Sequence, residues 1–254
     1  MMKRQICGSI LMSALLLVNL PKVVRAETVT TTDGEVGKTD VTVSVTPDSD
    51  MMSPVDPDHP NKTVNDAPDN GVKPGKNLSL VYVTHTIKFD DLTTSPTSKS
   101  NSSDNSMVSE VAINLDPKSS ILWHSQFVVE VGDERGTGDG WNLTVTGDPL
   151  TLDDNNPNKR VMEGAKIELP DGTIKRNDET KGGIIQPERT IQLGDRGANI
   201  LKTSISDTGA GMTTFQMNPS EIKLSVPVSN VKTGDYKTTL NWTLSTGPSN
   251  TDGK

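Results

Sequence analysis

Trp141-Asn142-Leu143 and Trp242-Thr243-Leu244 repeat one short pattern at two distant places in the chain. An indole can lay its face against the CH side of a sugar while its N–H donates a hydrogen bond, which makes both tryptophans candidate glycan contacts. A structural assignment competes with this one. In each motif Trp and Leu alternate with polar residues and share a face with Val145 or Leu240, and a face of that composition is usually buried. On the structural assignment, binding falls to the polar neighbours Asn142, Thr144, Asn241 and Thr243, or to the turn at 136–140. The two assignments predict different outcomes for Trp242→Ala: unfolding if the ring is core, lost binding on an intact fold if it is a platform.

Other residue groups raise catalytic or metal chemistry and fall short of it. Asp207-Thr208-Gly209 matches the aspartic-protease triplet, but that chemistry needs two carboxylates sharing a proton, and there is one copy. Gly136-Thr137-Gly138-Asp139-Gly140 is glycine-rich like a phosphate loop, yet it lacks the G-x-G-x-x-G spacing and any G-K-[ST]. It reads as a tight turn feeding a strand. Asp153-Asp154-Asn155-Asn156 clusters oxygen ligands without an EF-hand pattern, and is expected to be a solvated acidic loop. His59, His85 and His124 lack zinc-ligand spacing, and there is no G-x-S-x-G. Paired carboxylates for glycoside hydrolysis are defined by separation in space, which sequence does not show. The expectation is a protein that is not an enzyme and has no catalytic residues, cofactor or metal.

The chain begins with a basic pair, Lys3 and Arg4, an apolar run from Ile6 to Leu20, and Val24-Arg25-Ala26 ending in small residues. This order predicts a secretory signal over residues 1–26, cleaved after Ala26. The apolar run is shorter than the roughly 20 residues that span a bilayer as a helix, so no direct membrane insertion is expected. The only cysteine, Cys7, lies in this leader, which leaves no thiol or disulfide in the secreted chain. Formal charge is −8, and the leader carries four basic residues and no acid, so the secreted part is more acidic still. Such a chain is unsuited to nucleic acid, whose phosphates call for basic residues, and equally to anionic lipid or teichoic acid.

Residues 27–77 read as a flexible acidic, Pro-rich region. A strand is possible at Asp40–Val45, and the prolines from Pro47 to Pro74 argue for an extended spacer. Ser95–Ser106 is a second low-complexity stretch. From Leu78 the hydrophobic period is two. Alternation at Trp141–Thr146, Ile222–Val226 and Tyr236–Leu244, with shorter candidates at Leu78–Val83, Val108–Asn114, Gln126–Val131, Lys166–Leu169, Thr190–Leu193 and Thr213–Met217, predicts half-buried strands. Hydrophobic content of 31% and aromatic content of 3% allow one modest core. The fold class is all-β: an antiparallel β-sandwich, Ig-like or Greek-key in topology, over residues 78–254.

The paired W-x-L motifs, the first after Asp133-Glu134-Arg135-Gly136-Thr137-Gly138-Asp139-Gly140, closely resemble the WxL domain of Gram-positive surface proteins. Leu78–Val83, the Gly209-Ala210-Gly211 turn before Thr213 and the Pro/Asp spacer fit as well. The resemblance covers roughly residues 78–248. One departure is Phe215, where relatives often carry tryptophan. The resemblance implies a secreted cell-surface protein that binds the wall non-covalently, with peptidoglycan or another wall polymer as ligand. It also implies other WxL proteins and membrane-anchored WxL-interacting proteins as partners. Its binding residues would be Trp141, Asn142, Leu143, Trp242, Thr243 and Leu244. The end at Thr251-Asp252-Gly253-Lys254 shows no sortase signal, consistent with attachment through a binding domain. A protein-interaction subunit or host adhesin with only indirect wall contact is the alternative from another class.

Overall fold

The computed structural model describes residues 41–47, 50–91, 122–152, 160–178, 183–203 and 209–247, and the backbone of 106–110. The leader, Asp153–Asn156, Asp207 and Thr208 lie outside the described residues. The chain divides into Met1–Thr46 and Pro47–Lys254. In the first unit, residues 41–46 are irregular, and Val41, Val43 and Val45 are exposed. The strand considered at Asp40–Val45 is not formed over these residues; valine alternation needs a partner strand and a surface to cover.

The second unit is built from strands. These are β1 (Val55–Asp56), β2 (His59–Thr63), β3 (Leu78–Val83), β4 (Ser106–Glu110), β5 (Phe127–Asp133), β6 (Trp141–Gly147), β7 (Thr151–Leu152) and β8 (Lys166–Glu168). They continue with β9 (Thr173–Arg176), β10 (Ile184–Ile185), β11 (Thr190–Gln192), β12 (Ala198–Thr203), β13 (Gly211–Met217), β14 (Lys223–Pro227), β15 (Tyr236–Lys237) and β16 (Leu240–Thr246). Three four-stranded antiparallel sheets run β10-β12-β6-β16, β11-β8-β14-β4 and β3-β5-β13-β9, with β1-β2 and β15-β7 as small ladders. The all-β antiparallel class read from the period-two pattern is what forms, with three principal sheets among the described residues.

The three sheets share one core. Trp141, Leu143 and Val145 come from the first sheet, Ile167, Ile191 and Leu224 from the second, and Val129, Phe215 and Met217 from the third. Phe215 is fully buried between Val129 and Ile174 on the neighbouring strands, so an aromatic ring serves there without the indole.

The segment 50–77, expected as spacer, is instead largely folded onto the third sheet. Met52 and Val55 are buried against Val81 and Met212. The Pro57 carbonyl accepts from Thr214 Oγ1 at 2.9 Å and Gln216 Nε2 at 2.6 Å. Asn70 Nδ2 donates to the Val81 carbonyl at 2.8 Å, and Gly71 N–H to the Val83 carbonyl at 2.8 Å. Proline lacks an N–H and so cannot complete a ladder, but it can present a carbonyl and an apolar ring to a sheet face. Because this segment covers the outer face, every residue of β5 is buried.

Candidate functional site: the W-x-L sheet

The two W-x-L motifs are neighbours in space. β6 and β16 pair so that Leu143 faces Leu244, Val145 faces Trp242 and Trp141 faces Thr246. Residues in direct register share a face, so the apolar members of both motifs look toward the core and the polar members away from it.

Trp141 and Leu143 are 0% exposed. The Trp141 ring N–H donates to the Gly209 carbonyl at 3.0 Å. Its backbone N–H reaches Thr203 Oγ1 at 3.2 Å, and that hydroxyl donates back to the Trp141 carbonyl at 3.3 Å. Thus the buried indole has its one donor satisfied, as burial requires. The glycine turn is part of the same packing. Gly209 has φ +91°, and a Cβ there would stand 2.6 Å from both the indole nitrogen and Thr203 Cγ2. That position therefore demands glycine on both conformational and steric grounds. Gly209 of the Asp-Thr-Gly triplet is accordingly a tryptophan acceptor.

The loop before Trp141 is clamped by charge. Arg135 forms a two-point bond with Asp133, Nε to Oδ1 at 2.9 Å and a terminal guanidinium nitrogen to Oδ2 at 2.8 Å. The same guanidinium nitrogen donates to the Gly140 carbonyl at 2.7 Å, which also accepts from Gly247 N–H at 3.1 Å. The entry to the first motif and the exit of the second therefore meet at one carbonyl. With the pair largely buried, the Asp133 carboxylate pushes the arginine further toward its charged form. The glycine-rich stretch feeds strand β6 directly, as a turn and not a phosphate loop. Arg135→Ala should cost about 2 kcal/mol by leaving Asp133 without its charged partner, and Arg135→Lys should recover only part of this because lysine lacks the fork. Urea unfolding of the two variants measures both effects.

Trp242 is placed differently. It is half-buried on β16, packed against the core, with its ring centroid 6.0 Å from that of Phe127. Leu240 and Leu244 are also half-buried. Of the residues read as binding contacts, Trp141 and Leu143 present no surface to a ligand, Asn142 is 6% exposed, and Trp242 and Leu244 are partly accessible. Thr243 is exposed.

The outward face carries a continuous polar grid. Asn142 stands beside Ser245, Thr144 beside Thr243, and Thr146 beside Asn241, with Lys202 and Asn199 of β12 on the other side of Asn142 and Thr144. Thr146, Asn241, Thr243 and Ser245 are exposed. Asn142 Nδ2 donates to Thr144 Oγ1 at 3.1 Å, whereas the side-chain oxygens of Asn142 and Asn199 are enclosed and accept no bond. Sequence reasoning singled out Asn142, Thr144, Asn241 and Thr243; the β12 residues and Thr146 and Ser245 are brought in by sheet pairing, which no local pattern reveals.

A second polar cluster lies where the N-terminal hairpin docks. Asp56, Asp58 and His124 bring three ligand-type atoms within 4.8 Å of one another. Lys175 Nζ already bonds Asp58 Oδ1 at 2.7 Å and, with His124, holds that carboxyl below its usual range. The cluster works as an ionic fastening of the hairpin. Beneath it, Glu130 is fully buried, with Oε2 accepting from Val55 N–H at 3.2 Å and Oε1 unbonded. Burial, aided by the charge of Asp56 and only partly opposed by the Val55 bond, raises this carboxyl to about 8. The sequence Val128-Val129-Glu130-Val131 could have signalled an acid inside a buried strand.

These features define an all-β domain whose paired tryptophan motifs are integral to its packing. The chain belongs to the WxL family of surface cell wall-binding domains, whose family model matches residues 32–248. It is thus a cell-surface, wall-binding protein, and the family is one of binding domains and not of enzymes. No curated protein and no solved structure matches the chain. Among the described residues, no helix is long and apolar enough to cross a membrane.

Proposed function

We propose that this protein attaches non-covalently to the peptidoglycan of a Gram-positive wall, acting by binding alone. There it serves in a surface complex with other WxL proteins and membrane-anchored partners. The observation that carries this reading is the WxL match over residues 32–248, which takes in both motifs. The geometry supports it: the motif pair supplies a rigid sheet whose outward side is an exposed array of hydrogen-bonding groups. With an acidic chain, attraction to the wall rests on local shape and hydrogen bonds more than on long-range charge.

Recombinant protein should be recovered on purified peptidoglycan well above an unrelated acidic β-domain. Recovery equal to that control, with capture by a membrane-anchored partner or host matrix protein, would replace wall binding with the adhesin or interaction-subunit reading. Release of soluble muropeptides by the purified protein would show catalysis and overturn the binding-only part.

A further inference from the structure

We infer that the outward face of β6 and β16, extended by Asn199 of β12, is the contact surface for the wall, and that it takes the neutral sugar backbone of the polymer. The inference rests on the wall-binding reading and goes further by naming the face and the ligand chemistry.

The composition of the face selects the ligand. Its six positions on β6 and β16 are Asn142, Thr144, Thr146, Asn241, Thr243 and Ser245, all uncharged and all able both to donate and to accept. Among the described residues, charged groups stand at its margins. Asp148 Oδ1 takes Asn241 Nδ2 at 3.1 Å; Glu188 takes the Asn199 N–H and faces Arg196 at 3.5 Å; Lys202 stands beside Asn142. Phosphates of a teichoic acid, or the carboxylates and amines of stem peptides, would call for charged partners across the face. Sugar hydroxyls and acetamido groups are neutral donors and acceptors, like the threonine hydroxyls and asparagine amides that meet them. From Asn142 to Thr146 the grid runs about 14 Å along the strand direction, an elongated bed suited to a linear chain.

A second observation points to a missing partner. The Asn142 side chain is more than nine-tenths buried and its oxygen accepts nothing, and on the adjacent row half-buried Asn199 also has an enclosed oxygen that accepts nothing. An enclosed acceptor without a donor is costly, and apolar residues would be cheaper at these positions if packing were their only role. Both oxygens are closed to solvent, so a ligand reaches them when the side chains rotate outward. For Asn142 that rotation exchanges its Nδ2 bond to Thr144 for ligand contacts, and a sugar O–H or acetamido N–H supplies the donor its oxygen lacks.

The test uses full-length secreted protein, peptidoglycan sacculi stripped of teichoic acid, and soluble N-acetylglucosamine oligomers. Thr146→Val with Thr243→Val removes two exposed hydroxyls of the face while keeping β-branched shape, Ser245→Ala removes a third, and Thr190→Val on β11 is the surface control. The double variant should bind both probes about tenfold more weakly, the effect of losing two neutral hydrogen bonds, with unchanged melting temperature. Ser245→Ala should weaken binding in the same direction, and Thr190→Val should leave it intact. Wild-type binding to sacculi with no loss in the folded double variant overturns the assigned face and leaves wall binding standing. Wild-type binding to sacculi that disappears on removal of the stem peptides, without binding to the oligomers, overturns the sugar assignment. Absence of any wild-type binding to sacculi removes the underlying reading as well.

Discussion

Replacing Trp141 with alanine should destabilise the domain by about 3–5 kcal/mol, whereas the equivalent change at Trp242 should cost about 1–2 kcal/mol and leave a folded protein. The tryptophans occupy matching places in matching motifs, so the difference lies in their surroundings. Trp141 is on β6, with β12 on one side and β16 on the other, and none of its surface reaches solvent. Its removal opens a cavity in the core that the three sheets share and leaves the Gly209 carbonyl without its indole donor. Trp242 is on β16, which among the described residues pairs only with β6, and its ring is already partly in water. Chemical denaturation of both variants checks the order of the two losses. Wall binding measured on the same samples then separates the roles of the second ring. Trp242→Ala that melts near wild type but no longer binds peptidoglycan makes that ring a ligand contact; retained binding makes it a brace for β16.

The asymmetry explains how much of the site could be read in advance. Alternation at Trp141–Thr146 and Tyr236–Leu244 fixes which side chains share a face, because a strand has a period of two. It cannot say whether a strand lies in the middle of a sheet or at its edge, and that distinction gives the two tryptophans different burial. The Gly209 turn was visible as a pattern, but its purpose, accepting from an indole in a distant strand, follows only from tertiary approach. The prolines after Pro47 point to a spacer, and the structure differs for a physical reason. They disfavour regular ladders, which concerns hydrogen-bonding pattern and not order. Pro57 and Pro60 are buried all the same, because a carbonyl and a ring can dock on a sheet whose own residues provide the donors. Asn199 and Lys202 were unreadable as companions of Asn142 and Thr144, since strand order is not encoded in local period.

The docked hairpin also makes stability depend on pH in a direction opposite to that of ordinary carboxylates. Glu130 has a folded value of about 8 against an ordinary 4.5, raised mainly by burial. Below pH 4.5 the group is protonated in both folded and unfolded chains and contributes no difference. Between 4.5 and 8 the unfolded chain releases the proton while the folded one retains it, so stability falls as pH rises, and above 8 the loss is complete. At pH 7 the deficit is on the order of 3 kcal/mol. Glu130→Gln keeps the shape and an acceptor for Val55 N–H without the titration, so this variant should be the more stable at neutral pH and should lack the decline. Chemical denaturation at intervals from pH 5 to 8.5 measures it; parallel curves for the two proteins would show that Glu130 does not titrate in this window. The strain can also be relieved locally. Lifting residues 52–64 off the sheet lets Glu130 ionise in water without unfolding the core, at the expense of the Pro57 bonds and the Asp58–Lys175 pair. Limited proteolysis should therefore cut within this segment increasingly from pH 5 to 8 in the wild type and much less in Glu130→Gln. The W-x-L sheet should resist throughout, because its core residues come from β6, β12 and β16 and not from the hairpin.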